Sequence, residues 1–350
     1  MSKEVIWQSS WKSPSNIALV KYWGKHDRQL PNNPSVSFTL DEAHTVTHLE
    51  VSEIEEPNGE VSFEFYFEGK ESEAFSKRIG KFLRSIVGEM AWLKKHHLVI
   101  ESSNSFPHST GIASSASAMS ALCLCLVEVE QNVNDRFYNE PEFLQRASYF
   151  SRLASGSAAR SVFPTLAIWG ASMASTESSD LFAIPASAEV NPIFESFHDD
   201  ILIVSSKEKS VSSTAGHQLM EDNRFAEVRY RQAEQNLEAL MLAMKLGDID
   251  QFIEIVEEEA LTLHALMMTS KPSFILMHPN TLEMINRIRA YRAETGVPVC
   301  FTLDAGPNIH LLYPHSEEKK VSKFVKDQLL ELCEDNFMLR DKVGKGPVKI

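Results

Sequence analysis

The stretch "FPHSTGIASSASA", residues 106 to 118, marks the point at which the character of the chain changes. Pro107 rules out an uninterrupted helix before it, and Gly111 permits a tight turn. The run "IASSASAMSALCLCLVEVE" that starts at residue 112 carries almost no charge until its end, so it predicts a helix buried on most faces. A loop of small and hydroxyl residues therefore leads directly into a buried helix.

The start of this helix is a candidate anion site, because the first N–H groups of a helix have no partner within the helix. Ser114 and Ser115 add hydroxyls that suit phosphate oxygens or a bound Mg²⁺, and Ser115 is the candidate metal ligand. The alternative is that the small residues only allow close packing of helices. No Gly-Lys-Ser/Thr follows, so the loop is not of the Walker type.

The elements around this helix predict the fold class. Alternating apolar residues predict strands at "HTVTHLEVSE" (44–53), "VSFEFYFE" (61–68) and "HHLVIESS" (96–103), and helical spacing is found at 76–87. Residues 227–269 predict two helices with a break near Gly247 and Asp248. Further strands are expected at "DDILIVSS", "VPVCFTLDA" and "NIHLLYP". The irregular order favours an α+β fold with helices on antiparallel sheets.

Two lobes are expected, because two prolines and little periodicity mark residues 185–197. We place an N-terminal lobe with the phosphate loop at residues 1–190 and a C-terminal lobe at 191–350, as one compact unit sharing a cleft. At 350 residues and 43% hydrophobic content, the chain can bury a large core.

Composition limits the classes of function. The net charge is −14 without a long basic run, which argues against nucleic-acid partners. The first ten residues lack the apolar core of a signal peptide, and no apolar run approaches the length of about 20 residues that spans a membrane. The four cysteines have no CxxC spacing, so reduced core thiols in a cytoplasmic protein are expected, with no disulfide or zinc site. Twelve histidines show no metal-ligand spacing either.

Two segments contribute candidate ligand-binding cations. In "SPSNIALVKYWGKHD", residues 13–27, a strand that leads into a turn would direct Lys21, Tyr22 and Lys25 toward a cavity for a polyanion. The alternative is two solvated lysines beside a partly buried tryptophan. In "LASGSAARSVF", a serine N-cap at the start of a helix would orient free N–H groups, and Arg160 would offer its guanidinium to a carboxylate. The alternative is an ordinary capped helix with a surface arginine.

The segment "DAGPN", residues 304–308, places one carboxylate at a turn between apolar strands. Its neighbours would hold Asp304 in place, so that it could meet a single hydroxyl with little reorganisation.

Together these motifs resemble a known family. "PHSTGIASSA" is similar to the phosphate loop of the GHMP small-molecule kinases, and "NIALVKYWGK", "ASGSAARS", "VSST" and "DAGPN" narrow the resemblance to the diphosphomevalonate decarboxylases. The resemblance runs from about Ser13 to the C-terminus. It implies a GHMP-kinase-like fold of two lobes with a deep cleft, antiparallel and mixed sheets covered by helices, and a cytoplasmic homodimer.

The resemblance also implies an activity: the ATP- and Mg²⁺-dependent conversion of (R)-5-diphosphomevalonate to isopentenyl diphosphate, ADP, phosphate and CO₂ in the mevalonate pathway. The C3 hydroxyl would be phosphorylated near Asp304, and Arg160 would bind the substrate carboxylate with help from Asn16. The remaining implied residues are Lys21, Tyr22, Lys25, Arg78 (or Lys77), Ser155, Gly156 and Ser157 for the substrate, and Pro107, Gly111, Ala113, Ser114 and Ser115 for ATP.

Several positions depart from the family pattern, among them His108, Pro164, Thr165, Ile168 and His217. They bear on nucleotide preference and on the number of phosphates in the substrate. The alternatives are therefore a mevalonate 3-kinase or a phosphomevalonate decarboxylase of the same superfamily, a kinase for homoserine or a sugar, and a binding protein that keeps the cleft without catalysis.

Overall fold

The fold is described from a computed structural model, which covers residues 4–107, 114–207 and 213–350. The strands are β1 (Val5–Val20), β2 (Lys25–His26), β3 (Leu30–Pro31), β4 (Ser35–Glu53), β5 (Ser62–Phe67), β6 (Lys70–Glu71), β7 (His96–Asn104), β8 (Leu166–Trp169), β9 (Ala183–Pro185), β10 (His198–Leu202), β11 (Cys300–Thr302), β12 (Ile309–Tyr313), β13 (Met338–Lys342) and β14 (Val348–Lys349). The α-helices are α1 (Glu73–Ile86), α2 (Ser114–Val133), α3 (Glu140–Ala154), α4 (Ser213–Gln218), α5 (Ala226–Leu246), α6 (Ile249–Thr269), α7 (Pro279–Thr295) and α8 (Glu318–Phe324).

The first sheet is a mixed sheet of eight strands built around β4. Its strand order is β14-β1-β4-β7-β5-β6, with β8 attached to β4 and β9 attached to β8; among the described residues only the β5–β7 pair is parallel. Apolar residues such as Leu49 and Leu98 pack against α1, α2 and α3 in one large core. The predicted buried helix is α2, in which residues 121–127 are all buried.

The second sheet has four antiparallel strands in the order β11-β12-β10-β13. The predicted hairpin around "DAGPN" is confirmed, because β11 pairs with β12 through Cys300–Leu312 and Phe301–Leu311. Helices α7 and α8 cover this sheet and share its core with Leu311. Together the two sheets and their helices confirm the α+β, GHMP-kinase-like fold class.

Helices α5 and α6 form the predicted pair. Helix α5 ends at Gly247, which has φ 75°, and α6 begins after Asp248, whose side chain accepts a hydrogen bond from the Gln251 N–H at 3.0 Å. Both helices pack on residues of β1, β4 and β10 in a shared core. This pair therefore links the two sheets and supports the end of β1.

The C-terminal segment returns to the first sheet. The Asp341 carboxylate on β13 accepts hydrogen bonds from the N–H groups of Asp41, Glu42 and Ala43 at 2.7–2.9 Å, and β14 pairs with β1. The boundary at residues 190 and 191 stays a prediction. None of the helices in the described parts of the chain has the length and apolarity needed to cross a membrane.

Candidate active site

The end of β1 meets the β11–β12 turn at a buried ion pair. Lys21 is 2% exposed, and its Nζ lies 3.3 Å from Oδ1 of Asp304, whose side chain is 29% exposed. Burial lowers the pKa of Lys21, and the Asp304 carboxylate opposes that effect. Lys21 is therefore not a solvated surface lysine, and its ammonium faces the one end of Asp304 that the protein covers.

A second buried ion pair fixes the backbone of Lys21. Arg229 on α5 and Glu259 on α6 are 1% and 0% exposed and form two hydrogen bonds of 2.6 Å. Glu259 Oε2 also accepts the Lys21 N–H at 2.8 Å, and Arg229 Nη2 donates to the Lys21 carbonyl oxygen at 3.0 Å. Sequence reasoning missed both residues, because neither lies in a motif.

Arg160 is buried beneath the site rather than lying on the surface. It belongs to a 3₁₀ helix (Gly156–Val162) and is 2% exposed. Its Nε donates to Ser37 Oγ at 3.0 Å, Nη1 to Ser35 Oγ at 2.5 Å and Nη2 to Asn16 Oδ1 at 3.4 Å. Burial lowers the pKa of Arg160 to about 10, and the negative charge of Asp304 acts against this decrease. Arg160 and Asp304 thus belong to one electrostatic site.

The amide of Asn16 is held on its other side as well, since Nδ2 donates to the Ser157 carbonyl oxygen at 3.1 Å and to Ser161 Oγ at 2.7 Å.

The expectation of a serine N-cap is wrong in detail. Ser155 occupies the N-cap position of a 3₁₀ helix, but its side chain makes no capping hydrogen bond. A 3₁₀ helix has fewer residues per turn than an α-helix. This tighter winding turns the Arg160 side chain inward.

Tyr22 lies between aromatic rings next to the Gly156 backbone. Its ring centroid is 4.7 Å from that of Trp169 and 4.3 Å from that of His217. A Cβ at Gly156 would lie 2.8 Å from Tyr22 Oη, so only glycine fits there. The Tyr22 hydroxyl is buried with no hydrogen-bond partner among the described residues, and burial raises its pKa. An unsatisfied buried hydroxyl of this kind is suited to a polar ligand.

Two of the positions that depart from the family pattern have clear structural roles. His217 Nδ1 accepts the Gly24 N–H at 2.9 Å, and burial lowers the pKa of His217 to about 3, so the ring is neutral. Thr165 has φ 60°, a region that favours glycine, in agreement with the glycine usual there in the family.

Lys25 and Arg78 form a cationic pair near the same cleft. Burial lowers the pKa of Lys25 and the charge of Arg78 lowers it further, while Lys25 Nζ donates to Gln29 Oε1 at 2.7 Å. Burial also lowers the pKa of Arg78. The neighbouring Lys77 instead pairs with Glu73 at 2.6 Å on the exposed face of α1. Of the two alternatives, Arg78 is the one that faces the cavity.

That cavity has a volume of about 240 Å³ and lies between α1, α2 and the first sheet. Its lining is mostly apolar, with Arg78, Ser114 and Ser115 as polar groups, and Phe65, Phe67 and Phe75 among the aromatic residues. Ser115 Oγ lies 3.3 Å from Ser155 Oγ, which connects the start of α2 with the Arg160 segment.

The other residues predicted to bind ATP are not among the described residues that line this cavity. Gly111 and Ala113 lie outside the described residues, as do His108 and part of "VSST". Pro107 lines a separate cavity of about 290 Å³ together with Ile203 and Phe337. The structure therefore joins Lys21 to Asp304 and Asn16 to Arg160, and it places Arg78, Ser114 and Ser115 around one cavity. The role of the loop before α2 stays a prediction.

Comparisons with known proteins agree with this geometry. A family model described as "Diphosphomevalonate decarboxylase-like N-terminal domain" matches residues 13–180, and one described as "Mevalonate 5-diphosphate decarboxylase C-terminal domain" matches residues 200–345. A diphosphomevalonate decarboxylase of Candida albicans is 28% identical to the chain over 336 residues, which cover 90% of this chain and 87% of that protein. A phosphomevalonate decarboxylase of Haloferax volcanii is 27% identical over 312 residues, 88% of this chain and 89% of the relative.

Among solved structures, the chain is similar to one described as MDDEF in complex with MVAPP, AMPPCP and magnesium. The TM-score is 0.82 with 26% sequence identity, and the alignment covers 98% of both chains. The likeness thus extends over nearly the whole chain.

Proposed function

The chain belongs to the diphosphomevalonate decarboxylase family, and from this we propose that its cleft converts (R)-5-diphosphomevalonate to isopentenyl diphosphate. The reaction consumes ATP and releases ADP, phosphate and CO₂, so the protein is an ATP-dependent carboxy-lyase of isoprenoid biosynthesis. The C3 hydroxyl of the substrate is phosphorylated, and phosphate and CO₂ then leave.

The observation that carries the proposal is the meeting of three distant segments. Lys21 follows β1, Arg160 lies in the 3₁₀ helix, and Asp304 lies in the β11–β12 turn. The Lys21–Asp304 contact, and the influence of the Asp304 charge on the pKa of Arg160, support a site that combines an acid, an ammonium and a guanidinium. A β-hydroxy acid, whose hydroxyl-bearing carbon is separated from the carboxylate by one carbon, matches this set.

In this scheme Asp304 accepts the proton of the C3 hydroxyl as the oxygen becomes a nucleophile. The 3.3 Å contact with Lys21 orients one carboxylate oxygen, and the Asp304 side chain is 29% exposed, so a substrate could reach it. When phosphate leaves, positive charge develops at C3, and the negative charge of Asp304 stabilises it.

Arg160 holds the substrate carboxylate until it leaves as CO₂. A guanidinium has five N–H donors, and three of its nitrogens each make one hydrogen bond to Ser35, Ser37 and Asn16. Those bonds fix the plane of the group, so its remaining donors are presented in a set direction. The low-dielectric surroundings of a buried cation strengthen its attraction to a carboxylate.

The substrate diphosphate is assigned to Lys25, Arg78 and Tyr22, with Ser155 and Ser157 on the opposite side. The charge of Arg78 disfavours the charged form of Lys25, and a bound polyanion would oppose that effect. The buried Tyr22 hydroxyl, which lacks a described partner, would donate to a phosphate oxygen.

The described residues also fit a nucleotide with Mg²⁺. Helix α2 offers its first N–H groups and the Ser114 and Ser115 hydroxyls, and the adjoining cavity of about 240 Å³ is apolar enough for a base. Bound Mg²⁺ would neutralise phosphate charge during transfer of the γ-phosphoryl group. Pro107, Gly111 and Ala113 complete the proposed loop.

A comparative assay tests the function. Mevalonate, its 5-phosphate and its 5-diphosphate are each incubated with Mg-ATP, and ADP and CO₂ are measured together. We expect ADP and CO₂ in equal amounts from the diphosphate. CO₂ release from the monophosphate instead would identify a phosphomevalonate decarboxylase, and ADP without CO₂ would identify a 3-kinase; either result would contradict the proposal.

The diphosphate assignment has a matched control on one helix. Arg78→Gln should raise KM for the diphosphate at least tenfold, because a charge-assisted contact contributes about 1.5–3 kcal/mol. Lys77→Gln removes the same charge from the exposed side of α1 and should leave KM unchanged. Equal effects of the two variants would show that only the overall charge of α1 matters.

We also propose that the protein is a cytoplasmic homodimer. Two exposed apolar side chains, Met173 at 83% and Leu242 at 58%, border a surface cavity of about 710 Å³ beside α5, and large apolar side chains exposed in this way suit a subunit interface. All four cysteines are free and buried, which suits a reducing compartment. Light scattering of the wild type and of Leu242→Glu tests the dimer; a monomeric wild type would contradict it.

A further inference from the structure

Two histidines and a glutamate from separate segments converge on the second sheet, away from the cleft. His198 is the first residue of β10, His315 lies in a 3₁₀ turn (His315–Glu317) after β12, and Glu318 begins α8. Among the described residues they form the only group of three metal-ligating side chains whose ligand atoms all lie within 4.8 Å of one another. The two histidines are 117 positions apart, which explains why sequence spacing does not reveal the group.

The geometry of the three ligand atoms is close to a tetrahedral face. His198 Nε2 and His315 Nδ1 are 2.9 Å apart, and His315 Nδ1 is 3.6 Å from Glu318 Oε2. Zinc bonds of about 2.0–2.1 Å separate neighbouring tetrahedral ligands by about 3.3 Å. The two observed distances lie on either side of this value, and all three ligand atoms lie within 4.8 Å of one another, so rotation of the side chains would bring them to one cation.

The two imidazole rings lie close together, and a shared metal would take the place of the hydrogen bond between their facing nitrogens. The planes of His198 and His315 are within 8° of each other with centroids 5.2 Å apart, so the facing nitrogens meet head to head. His198 also stacks on Tyr313 with an angle of 5° and a centroid distance of 4.9 Å. A hydrogen bond between the two imidazoles would explain why the histidines lie together. It does not explain why the Glu318 carboxylate lies beside them.

We propose that His198, His315 and Glu318 form a binding site for Zn²⁺ that joins β10 to the turn before α8. Two imidazoles and one carboxylate are ligands that zinc accepts, and with three protein ligands a water takes the fourth position. The site is distinct from the Mg²⁺ of the reaction, because Mg²⁺ prefers an octahedral set of oxygens.

The surrounding charges are compatible with a cation. Lys342 directs its ammonium to Asp41 at 3.6 Å, and Glu318 supplies the opposing negative charge. Burial raises the pKa of the thiols Cys123, Cys125 and Cys300, which makes them poor competitors for zinc.

The test uses untagged, nucleotide-free protein treated with a chelator and then titrated with Zn²⁺ in excess Mg²⁺ by calorimetry. We expect one equivalent to bind, with His315→Gln and Glu318→Gln each weakening binding at least tenfold. Both side chains are largely exposed, so the variants should fold normally. His48→Gln replaces an exposed histidine whose Nδ1 is hydrogen-bonded to Ser10 Oγ at 2.7 Å; it is the matched control and should bind as the wild type does.

Two further measurements distinguish binding at this site from nonspecific binding. Co²⁺ in place of Zn²⁺ should give the visible absorption bands of a four-coordinate ion in the wild type and not in His315→Gln. Zinc should raise the Tm of the wild type more than that of either variant, because a ligand that binds only the folded state stabilises it. No saturable binding, or equal binding in wild type and both variants, would overturn the proposal.

Discussion

At the scale of single residues, the site depends on side chains whose surroundings allow them few conformations. Asp304 lies at the turn of the β11–β12 hairpin, between strands whose residues are all buried. Lys21 reaches it from a backbone that is hydrogen-bonded on both its N–H and its carbonyl side. A carboxylate held in this way needs little reorganisation to meet a substrate hydroxyl.

Replacing Asp304 by Asn is expected to lower kcat while leaving the Kd for the substrate almost unchanged. The lost interaction belongs mainly to the transition state, and the loss of a general base reduces rates by roughly 10²- to 10⁴-fold. Rapid-quench kinetics gives kcat, and calorimetry without ATP gives Kd. A kcat close to that of the wild type would remove Asp304 from its assigned role.

A second prediction at the residue scale concerns the lack of room for a side chain at Gly156. Replacing it by Ala puts a Cβ 2.8 Å from Tyr22 Oη and 2.9 Å from the Trp169 ring, so Tyr22 must move. Overpacking of this kind costs about 1–3 kcal/mol, and urea unfolding should show the loss together with weaker substrate binding. Gly88→Ala is the control, because a Cβ at Gly88 meets nothing within 4 Å. Equal stability of the two variants would contradict the packing argument.

At the scale of elements, the sequence predicts the features that depend on residues close together in the chain. The break at Gly247 and Asp248 is confirmed because a left-handed glycine ends one helix and an aspartate caps the next. The apolar runs on either side of "DAGPN" are confirmed as a hairpin for a similar reason. Sequence reasoning left α3 unassigned, although Asn139 and Glu142 form a capping box that signals its start.

Contacts between distant elements could not be predicted in the same way. Arg229 and Glu259 are 30 positions apart, and Arg229 lies 208 positions from Lys21. In the sequence they are one arginine and one glutamate on two helices rich in charge. Only the packing of α5 and α6 beneath β1 makes them the support of Lys21.

This Arg229–Glu259 support gives an element-scale prediction. Arg229→Met alone leaves Glu259 as an uncompensated buried charge and should cost about 3–5 kcal/mol, whereas Arg229→Met with Glu259→Gln should recover much of this loss. Because the double variant still lacks the fixed Lys21 backbone, its kcat should remain up to about 10²-fold low with KM little changed. Thermal unfolding and steady-state kinetics measure the two effects separately.

A matched control exists on the far side of the first sheet. Arg146 on α3 pairs with Glu130 on α2, which is 2% exposed. Arg146→Met with Glu130→Gln should alter stability without changing kcat. If kcat of the Arg229 and Glu259 double variant returned to the wild-type value along with its stability, the pair would be structural only.

At the scale of the whole molecule, burial of carboxylates ties stability to pH. Asp341, which accepts three N–H groups of the first sheet, and Asp200 in the middle of β10 are each 1–3% exposed. Burial raises the pKa of each to about 6, in spite of the hydrogen bonds that favour the charged form. The second sheet and its connection to the first therefore contain two acids that are costly to ionise.

Asp200 provides the clearest test of this cost. Its Oδ2 accepts a hydrogen bond from the Tyr313 hydroxyl at 2.7 Å, and its Oδ1 has no partner among the described residues. Because the folded state holds the Asp200 proton more tightly than the unfolded state does, the stability supplied by the protonated acid is present below about pH 4. It is lost as the pH rises toward about 6. The full effect is on the order of 3 kcal/mol.

Asp200→Asn keeps the shape and the acceptor for Tyr313 but cannot ionise, so its stability relative to the wild type should increase steadily between about pH 4 and pH 6. Urea unfolding at several pH values measures this difference, and Asp250→Asn, an exposed position on the first turn of α6, serves as the control. Other carboxylates affect both proteins alike and cancel in the comparison. A difference between Asp200→Asn and wild type that stays constant across this range would mean that Asp200 is not costly to ionise, and that water or a nearby cation reaches its carboxylate in solution.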